Sequence, residues 1–483
     1  MSILALSHAR IKGVHIIGAC LLAGMLAGAA AAMVNPLILI GLGVAVPVVL
    51  WVTGDIDHAL FALIGVIAVL PRFTVPVKIG ITPTFLDLAL IGLLAAWLLH
   101  QAGLRRDRPL RRASITWPAL ALVAAAVITF IIGLPNGSLT ALVLRRFTEL
   151  VLSVLMALVI IAVVPTLDAQ ERLVRWALML GAASALIGIL LYVTPSEIAI
   201  RLLSALRPFG YPTGPDVLRF ILDDPSLMKR ATGLWIDPNA FGGFLLVTGA
   251  LGLPQLFSPQ PVLRRGWVVV CLALVGLALV LTVSRGAMLG LAVVAVMMGL
   301  VRYRRALVLC LVIFGLIMIL PQTRALVTHF AEGFGGRDLA TQMRFGEYKD
   351  ALRLIQRYPL FGVGFTGSPD IDLYVGVSSM YLLIAQQMGL IGLAAFMSVI
   401  VALLFGAVHV WWRVRRSERH SAIFLGAHGA VLGALLSGIF DHYFFNIDFH
   451  NSVMLLWIMI ALAAAQAIAA QTNPAGQVAS DPG

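Results

Sequence analysis

Residues 378–408 read SSMYLLIAQQMGLIGLAAFMSVIVALLFGAV and contain no charged side chain. About 20 apolar residues are enough for a helix to cross the hydrocarbon core of a membrane. The whole chain of 483 residues shares this character, because it is 60% hydrophobic and 12% charged, whereas soluble proteins are about 25% charged. Backbone groups in lipid must all be hydrogen-bonded, and continuous apolar runs favour helices over barrels. We therefore predict an all-α polytopic integral membrane protein.

Apolar runs of this kind recur along the chain and predict its transmembrane helices. They are 14–34, 37–53, 57–71, 83–100, 114–133, 140–164, 172–193, 239–257, 267–283, 286–301, 306–320, 378–408, 421–440 and 449–470. The second and third runs are short and could form one re-entrant hairpin, so the predicted number of spans is about 12–14. The first run is followed directly by another, which favours a retained span over a signal peptide.

Short basic loops mark the cytoplasmic side of a membrane protein. Four such loops lie between predicted spans, and threading the spans places all four on the same side as Arg10 and Lys12. Their basic residues are Arg105, Arg106, Arg108, Arg111, Arg112, Arg264, Arg265, Arg302, Arg304, Arg305, Arg413, Arg415, Arg416 and Arg419. Two long segments, 194–237 and 321–376, are then external. The net charge of +12 reflects this topology, and we predict no nucleic-acid binding.

The chain is predicted to have four parts, and no internal repeat of the kind found in many transporters is apparent. N-terminal transmembrane helices occupy 1–229, and a core follows over 230–410, including the external loop 321–376. C-terminal transmembrane helices occupy 411–470, and the polar tail 471–483 is expected to be disordered. No metal-ligand spacing occurs, so neither a metal nor a cofactor is predicted.

Charged residues inside apolar runs are candidates for function, because a charge at the bilayer centre costs about 2.5–3.5 kcal/mol. Arg145, Arg146 and Glu149 lie in the external half of one predicted span. Arg145 and Glu149 are four residues apart and can pair on one helix face, which leaves Arg146 over. Two interpretations stay open: an interhelical ion pair, or arginines that line an external cavity and bind an anionic substrate group.

Two further motifs lie at the external ends of predicted spans. In the tight connection 282–287, Arg285 either snorkels to the membrane interface or meets a group that its small neighbours allow to approach. The second motif runs from Arg230 to Asn239 and contains Asp237-Pro-Asn, which is typical of turns and helix N-caps. Arg230, Asp237 and Asn239 are also candidates for substrate binding.

The long external loop is predicted to contain an amphipathic helix over 338–358. Its apolar residues recur at helical spacing: Ala340, Tyr348, Ala351, Leu352 and Ile355. The opposite face carries three basic residues that we expect to face solvent: Lys349, Arg353 and Arg357. Arg344 falls in the middle of the apolar face, where a guanidinium needs an anion. That anion is either the nearby Glu347 or a bound ligand.

Asp441 and His442 lie together at the external end of the thirteenth predicted span. A histidine beside an aspartate can have its tautomer fixed and act as a general base. It can equally be an interfacial histidine inside an aromatic belt. His442 is therefore a candidate catalytic residue with a structural alternative.

These motifs, taken in order, resemble the O-antigen ligase / O-antigen polymerase family of bacterial membrane glycosyltransferases. The resemblance rests on Gly-x-x-x-Asp-Pro-Asn at 233–239, Ser-Arg-Gly-Ala at 284–287 and Arg344 at the start of the amphipathic helix. It continues with Tyr-Pro-Leu-Phe-Gly-Val-Gly-Phe at 358–365 and Gln-Met-Gly-Leu-Ile-Gly-Leu at 387–393.

The resemblance implies a reaction at the periplasmic face of the bacterial inner membrane. A glycan would pass from a polyprenyl pyrophosphate donor to a glycan acceptor, without metal or nucleotide sugar, and a chain-length regulator is a candidate partner. Arg285 and Arg344 are the residues that the resemblance assigns to neutralising the leaving pyrophosphate.

The family's ligases usually carry His-Asn before the Tyr-Leu that opens the span after the long loop, and this chain has Ser378 at the histidine's place. A hydroxyl is a poor base near neutral pH. Polymerisation of O-antigen, capsule or exopolysaccharide repeats is therefore the first prediction, with ligation as the alternative. If a histidine base is needed, His442 must reach in from another span. A transporter or flippase of an anionic lipid-linked substrate, or a non-catalytic envelope subunit, are the rivals from other classes.

The topology can be tested by single cysteine substitutions and an impermeant thiol reagent applied to intact spheroplasts. Asp107→Cys, Tyr303→Cys and Ser417→Cys should resist labelling, because basic loops are retained in the cytoplasm. Cysteines introduced at positions 216 and 335 should label. Labelling at 303 with protection at 335 would invert the predicted orientation.

Overall fold

The computed structural model describes residues 46–76, 82–102, 109–319, 339–369 and 376–472. The helices of these ranges are α1 (Ile56–Val69), α2 (Phe85–Ala102), α3 (Thr116–Gly133), α4 (Ala141–Val163), α5 (Leu167–Val193), α6 (Ser196–Ser204), α7 (Pro238–Phe257), α8 (Arg265–Thr282), α9 (Arg285–Val301), α10 (Arg304–Ile319), α11 (Leu339–Arg357), α12 (Met380–Val414), α13 (Glu418–Phe440) and α14 (His450–Thr472). The described ranges also contain a two-stranded antiparallel hairpin, β1 (Arg219–Phe220) and β2 (Lys229–Arg230), and several three-residue 3-10 helices.

The predicted all-α polytopic membrane fold is confirmed. Within the described ranges, nine helices of at least 18 residues are apolar enough to cross a membrane, and α1 and α9 are shorter apolar helices. Helices overlap every predicted span from 57–71 onward. The predicted span 14–34, residues 37–45 of the next predicted span and residues 473–483 of the predicted tail 471–483 lie outside the described residues, while 471–472 still belong to α14. The total number of spans therefore stays a prediction.

The centre of the bundle is formed by α7 and α14, the two most deeply buried long helices. Two adjacent glycines near the start of α7 allow its neighbours to come close. A Cβ added at Gly242 would lie 2.8 Å from the Cβ of Ser284, and one at Gly243 would lie 2.3 Å from the ring of Tyr443. The starts of α7 and α9 and the segment after α13 therefore meet at one end of the bundle.

Several of the predicted cytoplasmic loops meet at the opposite end. Arg302, before α10, bonds to Glu418 at the start of α13 (2.6 Å). Arg419 bonds to Glu171 near the start of α5, with N···O distances of 2.5 and 2.7 Å. The two arginines come from separate basic loops, which is the arrangement that the predicted orientation requires. Part of a further basic loop, 103–108, lies outside the described residues.

The longest helix, α12, breaks at Gly389, which has φ +65°. The freed backbone groups around the break are satisfied by residues 359–364 of the preceding loop. Gln386 and Gln387 accept hydrogen bonds from the backbone of Val363 and Gly364, and Leu390 donates to Pro359 (2.8 Å). The two glycine-containing motifs of the sequence analysis, 358–365 and 387–393, thus pack against each other as one structural unit.

The amphipathic helix α11 docks on the start of α12 and the end of α13. Glu347 accepts hydrogen bonds from the backbone and the hydroxyl of Ser378 (2.9 and 2.7 Å), and the Tyr348 hydroxyl donates to the carbonyl of Ser378 (3.1 Å). Ala351 and Leu354 are fully buried. The solvent-facing basic residues are confirmed as exposed: Lys349, Arg353 and Arg357.

One detail of the predicted helix face is wrong. Leu352 was expected on the apolar face but is 49% exposed, and Leu354 is buried in its stead. The face rotates because Leu354 packs with Val363 and Tyr358 of the following loop. Residues packing from outside the helix therefore decide its buried side, and helical spacing alone does not contain that information.

The break in α12 generates a stability prediction. Gly389→Ala should lower the melting temperature of the detergent-purified protein, because the new Cβ would lie 2.1 Å from the Leu360 carbonyl oxygen. The backbone at Gly389, with φ +65° and ψ −171°, is a conformation that essentially only glycine adopts, and a side chain there would add about 1–3 kcal/mol. Gly276→Ala, within α8 and with no heavy atom within 4 Å of its added Cβ, is the control and should not destabilise. Equal melting temperatures for the two variants would contradict the packing argument.

Candidate functional site

A small polar cleft lies where α7 and α9 begin and α13 ends. Its lining residues come from five separate parts of the chain: Ile221, Leu222, Arg230, Asn239, Val283, Ser284, Arg285, Gly286, Arg344, Ser437, Phe440 and Asp441. The cleft thus gathers four of the predicted site residues, Arg230, Asn239, Arg285 and Arg344, from positions far apart in sequence.

Arg230 is held in place by protein groups at the floor of the cleft. Its Nε donates to the Thr282 carbonyl (2.8 Å), and its terminal nitrogen donates to Asn239 Oδ1 (2.6 Å). Burial lowers the pKa of Arg230, and the nearby carboxylates of Asp237 and Asp441 oppose that shift. Asn239 therefore orients an arginine here, while the guanidinium retains donors for a further anion.

Asp237 has a structural task that its sequence context predicted. Its carboxylate accepts hydrogen bonds from the backbone of Asn239 and Ala240 (2.9 and 2.7 Å), which caps the start of α7. Asp237 does not line the cleft. It lies close enough to Arg230 and to Arg72 to support their positive charge.

The start of α9 forms the second wall of the cleft. Ser284 occupies the N-cap position, yet its side chain makes no capping hydrogen bond. Ser284, Arg285 and Gly286 all line the cleft, so the positive end of the helix dipole faces the same space as the guanidinium groups. Together with the arginines, this end of α9 favours an anionic ligand.

The backbone of the cleft wall is strained. Val283 and Leu222 line the cleft with φ of +54° and +55°. A β-branched or bulky residue with positive φ is a genuine outlier, and such residues concentrate at functional sites. Bonds from neighbouring segments hold this wall, such as that from the Ala231 backbone to the Leu281 carbonyl (2.8 Å).

Arg344 enters the cleft from α11 and is half-buried. The candidate protein partner, Glu347, instead binds Ser378. Arg344 makes no hydrogen bond or ion pair with any other residue of the described ranges, although Asp441 lies near enough to interact electrostatically. With respect to the described residues, its guanidinium donors are therefore available for a bound anion.

His442, a predicted catalytic residue, does not line the cleft. Its Nδ1 lies 3.2 Å from the Asn446 amide, and its ring packs against Phe449. The preceding residue, Asp441, faces the cleft instead. Sequence reasoning considered Asp441 only as a partner that could orient His442, because adjacency gives no information on which of two neighbours turns inward.

Arg145 and Arg146 lie outside the cleft. Arg145 donates to the Thr82 carbonyl (2.5 Å) and lies 3.8 Å from Glu149, as the spacing of four residues predicted. Arg146, which the sequence left without a partner, forms an ion pair with Asp448. The ion-pair interpretation of this motif is the one that these contacts favour.

The three guanidinium groups and the helix N-terminus around this cleft together favour an anionic ligand. Arginine offers a planar, bidentate fork that matches phosphate oxygens. Within the described residues, no group of three or more His, Cys, Asp or Glu side chains is placed to hold a metal ion. A phosphate or pyrophosphate group is the kind of anion that this arrangement of arginines fits.

Pyrophosphate binding provides a direct test of this site. Inorganic pyrophosphate should raise the melting temperature of the detergent-purified protein, because a ligand that binds only the folded state stabilises it. Arg344→Ala should lose most of that shift, whereas Arg353→Ala, on the exposed face of α11, should keep it. Equal shifts in the two variants would mean that surface charge alone attracts the anion.

Comparison with known proteins agrees with these motifs. Residues 269–397 match the family model described as O-antigen ligase, a stretch that contains both Arg285 and Arg344. A search of curated proteins found no match. The remaining cleft residues, which include Arg230, Asn239 and Asp441, lie outside the matched stretch. The chain thus carries, in α8 to α12 and the loop between them, a domain of the O-antigen ligase family.

Proposed function

We propose that this protein is a polymerase that joins polyprenyl pyrophosphate-linked oligosaccharide repeats into a cell-surface polysaccharide. The reaction would take place at the periplasmic face of the bacterial inner membrane. The observation that carries the proposal is the convergence of Arg230, Arg285 and Arg344 on one cleft at the predicted external end of the bundle. The family match supports glycosyl transfer of the O-antigen ligase type.

The chemistry follows from the charge of the cleft. An acceptor hydroxyl attacks the anomeric carbon of the donor glycan, and the bond from that carbon to the pyrophosphate oxygen breaks. The departing pyrophosphate gains negative charge in the transition state, and preorganised guanidinium groups stabilise charge at that moment. Arg344, which forms no ion pair with the residues that the structure describes, is suited to this task, and Arg230 is fixed in advance by Thr282 and Asn239.

Polymerisation rather than ligation is favoured by the surroundings of Ser378. The family's ligases usually carry a histidine at this place. Here the Ser378 hydroxyl donates to Glu347 and serves to dock α11 on α12. Transfer to lipid A-core or another acceptor, as in a ligase, remains the alternative reaction for the same donor site.

A transporter of the same lipid-linked substrate is the rival from another class. It would need an anion site that also becomes accessible from the opposite side of the membrane. Two arginines of that side, Arg302 and Arg419, are paired with the carboxylates Glu418 and Glu171. The convergence of Arg230, Arg285 and Arg344 on one cleft at the other end supports chemistry at one face over movement across the membrane.

The proposed core, 230–410, does not contain all the residues that line the cleft. The cleft takes Ser437, Phe440 and Asp441 from the C-terminal part, 411–470, so the reaction site would depend on both parts of the chain. The proposed partners are the lipid-linked donor, the growing glycan acceptor and the lipid bilayer. A chain-length regulator would act on the same growing glycan.

Purified protein in detergent, given polyprenyl pyrophosphate-linked repeats, should extend them without nucleotide or divalent metal. Arg344→Ala should reduce polymer by about 100-fold or more, as expected on removing one preorganised charge donor. Arg344→Lys should also be severely impaired, because a point charge lacks the bidentate fork. Polymer length on gels, alongside membrane insertion and melting temperature, measures the effect.

Arg353→Ala is the matched control, since it removes the same charge from the exposed face of the same helix. Its polymer level should be near that of the wild type. Wild-type polymer in Arg344→Ala would make this arginine a structural residue. Loss of activity with a chelator would exclude the metal-free reaction, and lipid movement without a new glycosidic bond would favour the transporter.

A further inference from the structure

We infer that Asp441 is the general base that takes the proton from the acceptor hydroxyl. This inference rests on the proposed function, because it assigns a further catalytic residue to the same cleft. It is needed because Ser378, which replaces the usual histidine, is a poor base and is already bonded to Glu347.

Position is the first argument. Among the described residues that line the cleft, Asp441 is the sole carboxylate, and it shares the cleft with Arg230, Arg285 and Arg344. Its Oδ1 accepts a hydrogen bond from the His442 backbone (2.8 Å). Its backbone carbonyl accepts from Met380 (3.0 Å), which ties the start of α12 to the end of α13. One carboxylate oxygen, Oδ2, thus stays without a hydrogen bond to any residue of the described ranges.

The other candidate proton acceptors lie outside the cleft. Glu347 accepts two hydrogen bonds from Ser378 at Oε2, and Asp237 accepts two from the start of α7 at Oδ1, so both serve to hold the fold. Neither of these carboxylates lines the cleft. His442 is turned toward Asn446 and Phe449.

The electrostatic surroundings make this carboxylate basic. Burial raises the pKa of Asp441 above the usual aspartate range, and Asp237 adds to that shift. His442 and Arg344 oppose it by favouring the charged form. The remaining charged groups of the cleft are Arg230 and Arg285. A general base is more effective when its pKa lies nearer the working pH, so a raised value suits this role.

The proposed step balances in atoms and charge. The acceptor oxygen forms a bond to the anomeric carbon while its proton passes to Asp441. The bond from that carbon to the pyrophosphate breaks, and its electron pair leaves with the polyprenyl pyrophosphate, whose charge the arginines neutralise. Asp441 later releases the proton to solvent. In this step Asp441 deprotonates the acceptor, while the arginines of the same cleft stabilise the leaving pyrophosphate.

Asp441→Asn tests the inference with little disturbance, because an amide oxygen can still accept the His442 backbone hydrogen bond. We expect polymer formation to fall by about 100-fold or more, the usual contribution of a general base. Binding of polyprenyl pyrophosphate should be unchanged or tighter, since a negative charge is removed beside the anion site. Asp350→Asn, a carboxylate on α11 outside the cleft, is the control and should keep wild-type activity.

Two readouts separate a base from a structural residue. In the wild type, activity should fall as the pH drops through a value above the usual aspartate range, because only the ionised carboxylate accepts a proton. The residual activity of Asp441→Asn should lack this dependence on acidic pH. Added formate should partly restore Asp441→Ala and should not restore Arg344→Ala. These outcomes would support the inference.

The opposite results are equally defined. Wild-type rates in Asp441→Asn, or a loss with an unchanged pH profile and no formate rescue, would overturn the assignment while leaving the polymerase intact. Loss of the dependence on acidic pH in His442→Gln, with Asp441→Asn active, would assign the base to His442. An inactive wild-type protein on lipid-linked donor would instead overturn the proposed function itself.

Discussion

The close approach of α7 and α9 at Gly242 and Ser284 is the contact on which the candidate site depends. A side chain at Gly242 would push these helices apart, because its Cβ would lie 2.8 Å from that of Ser284. Since both helices begin at this contact, their positive ends lie side by side. The cleft lies at these two helix starts. The hairpin residues, α11 and the end of α13 line its remaining sides.

Positive charge at a membrane interface needs compensation, and the protein compensates its arginines in different ways. Arg145 and Arg146 are balanced by Glu149 and Asp448, so their charge is used within the fold. Arg344, in contrast, has no ion pair in the described ranges and faces the cleft. A buried or half-buried guanidinium that lacks a protein anion favours an anion from outside. Whether an arginine is paired with a carboxylate, more than the number of arginines, thus distinguishes structural arginines from candidate binding residues.

Much of the fold could be predicted from the sequence, because long apolar runs leave helices as the natural structure in lipid. The placement of Arg285 and Arg344 in one site was also within reach, since each is a charge where the local pattern calls for small or apolar residues. The partner of Arg146 was not, because Asp448 lies some 300 residues away and only the packing of α4 beside α14 brings them together. Asp441 was missed for a similar reason: the turn after α13 decides which of two adjacent residues faces inward.

The break in α12 at Gly389 has a mechanical consequence. The loop that follows α11 completes the hydrogen bonds of this broken helix, and the middle of α11 is attached to the start of α12 through Glu347 and Tyr348. The helix that carries Arg344 is therefore attached to the transmembrane bundle at two places, and its position does not depend on the lipid surface. The position of Arg344 relative to the cleft is then set by contacts within the protein. A change in bilayer thickness would therefore leave that position unchanged.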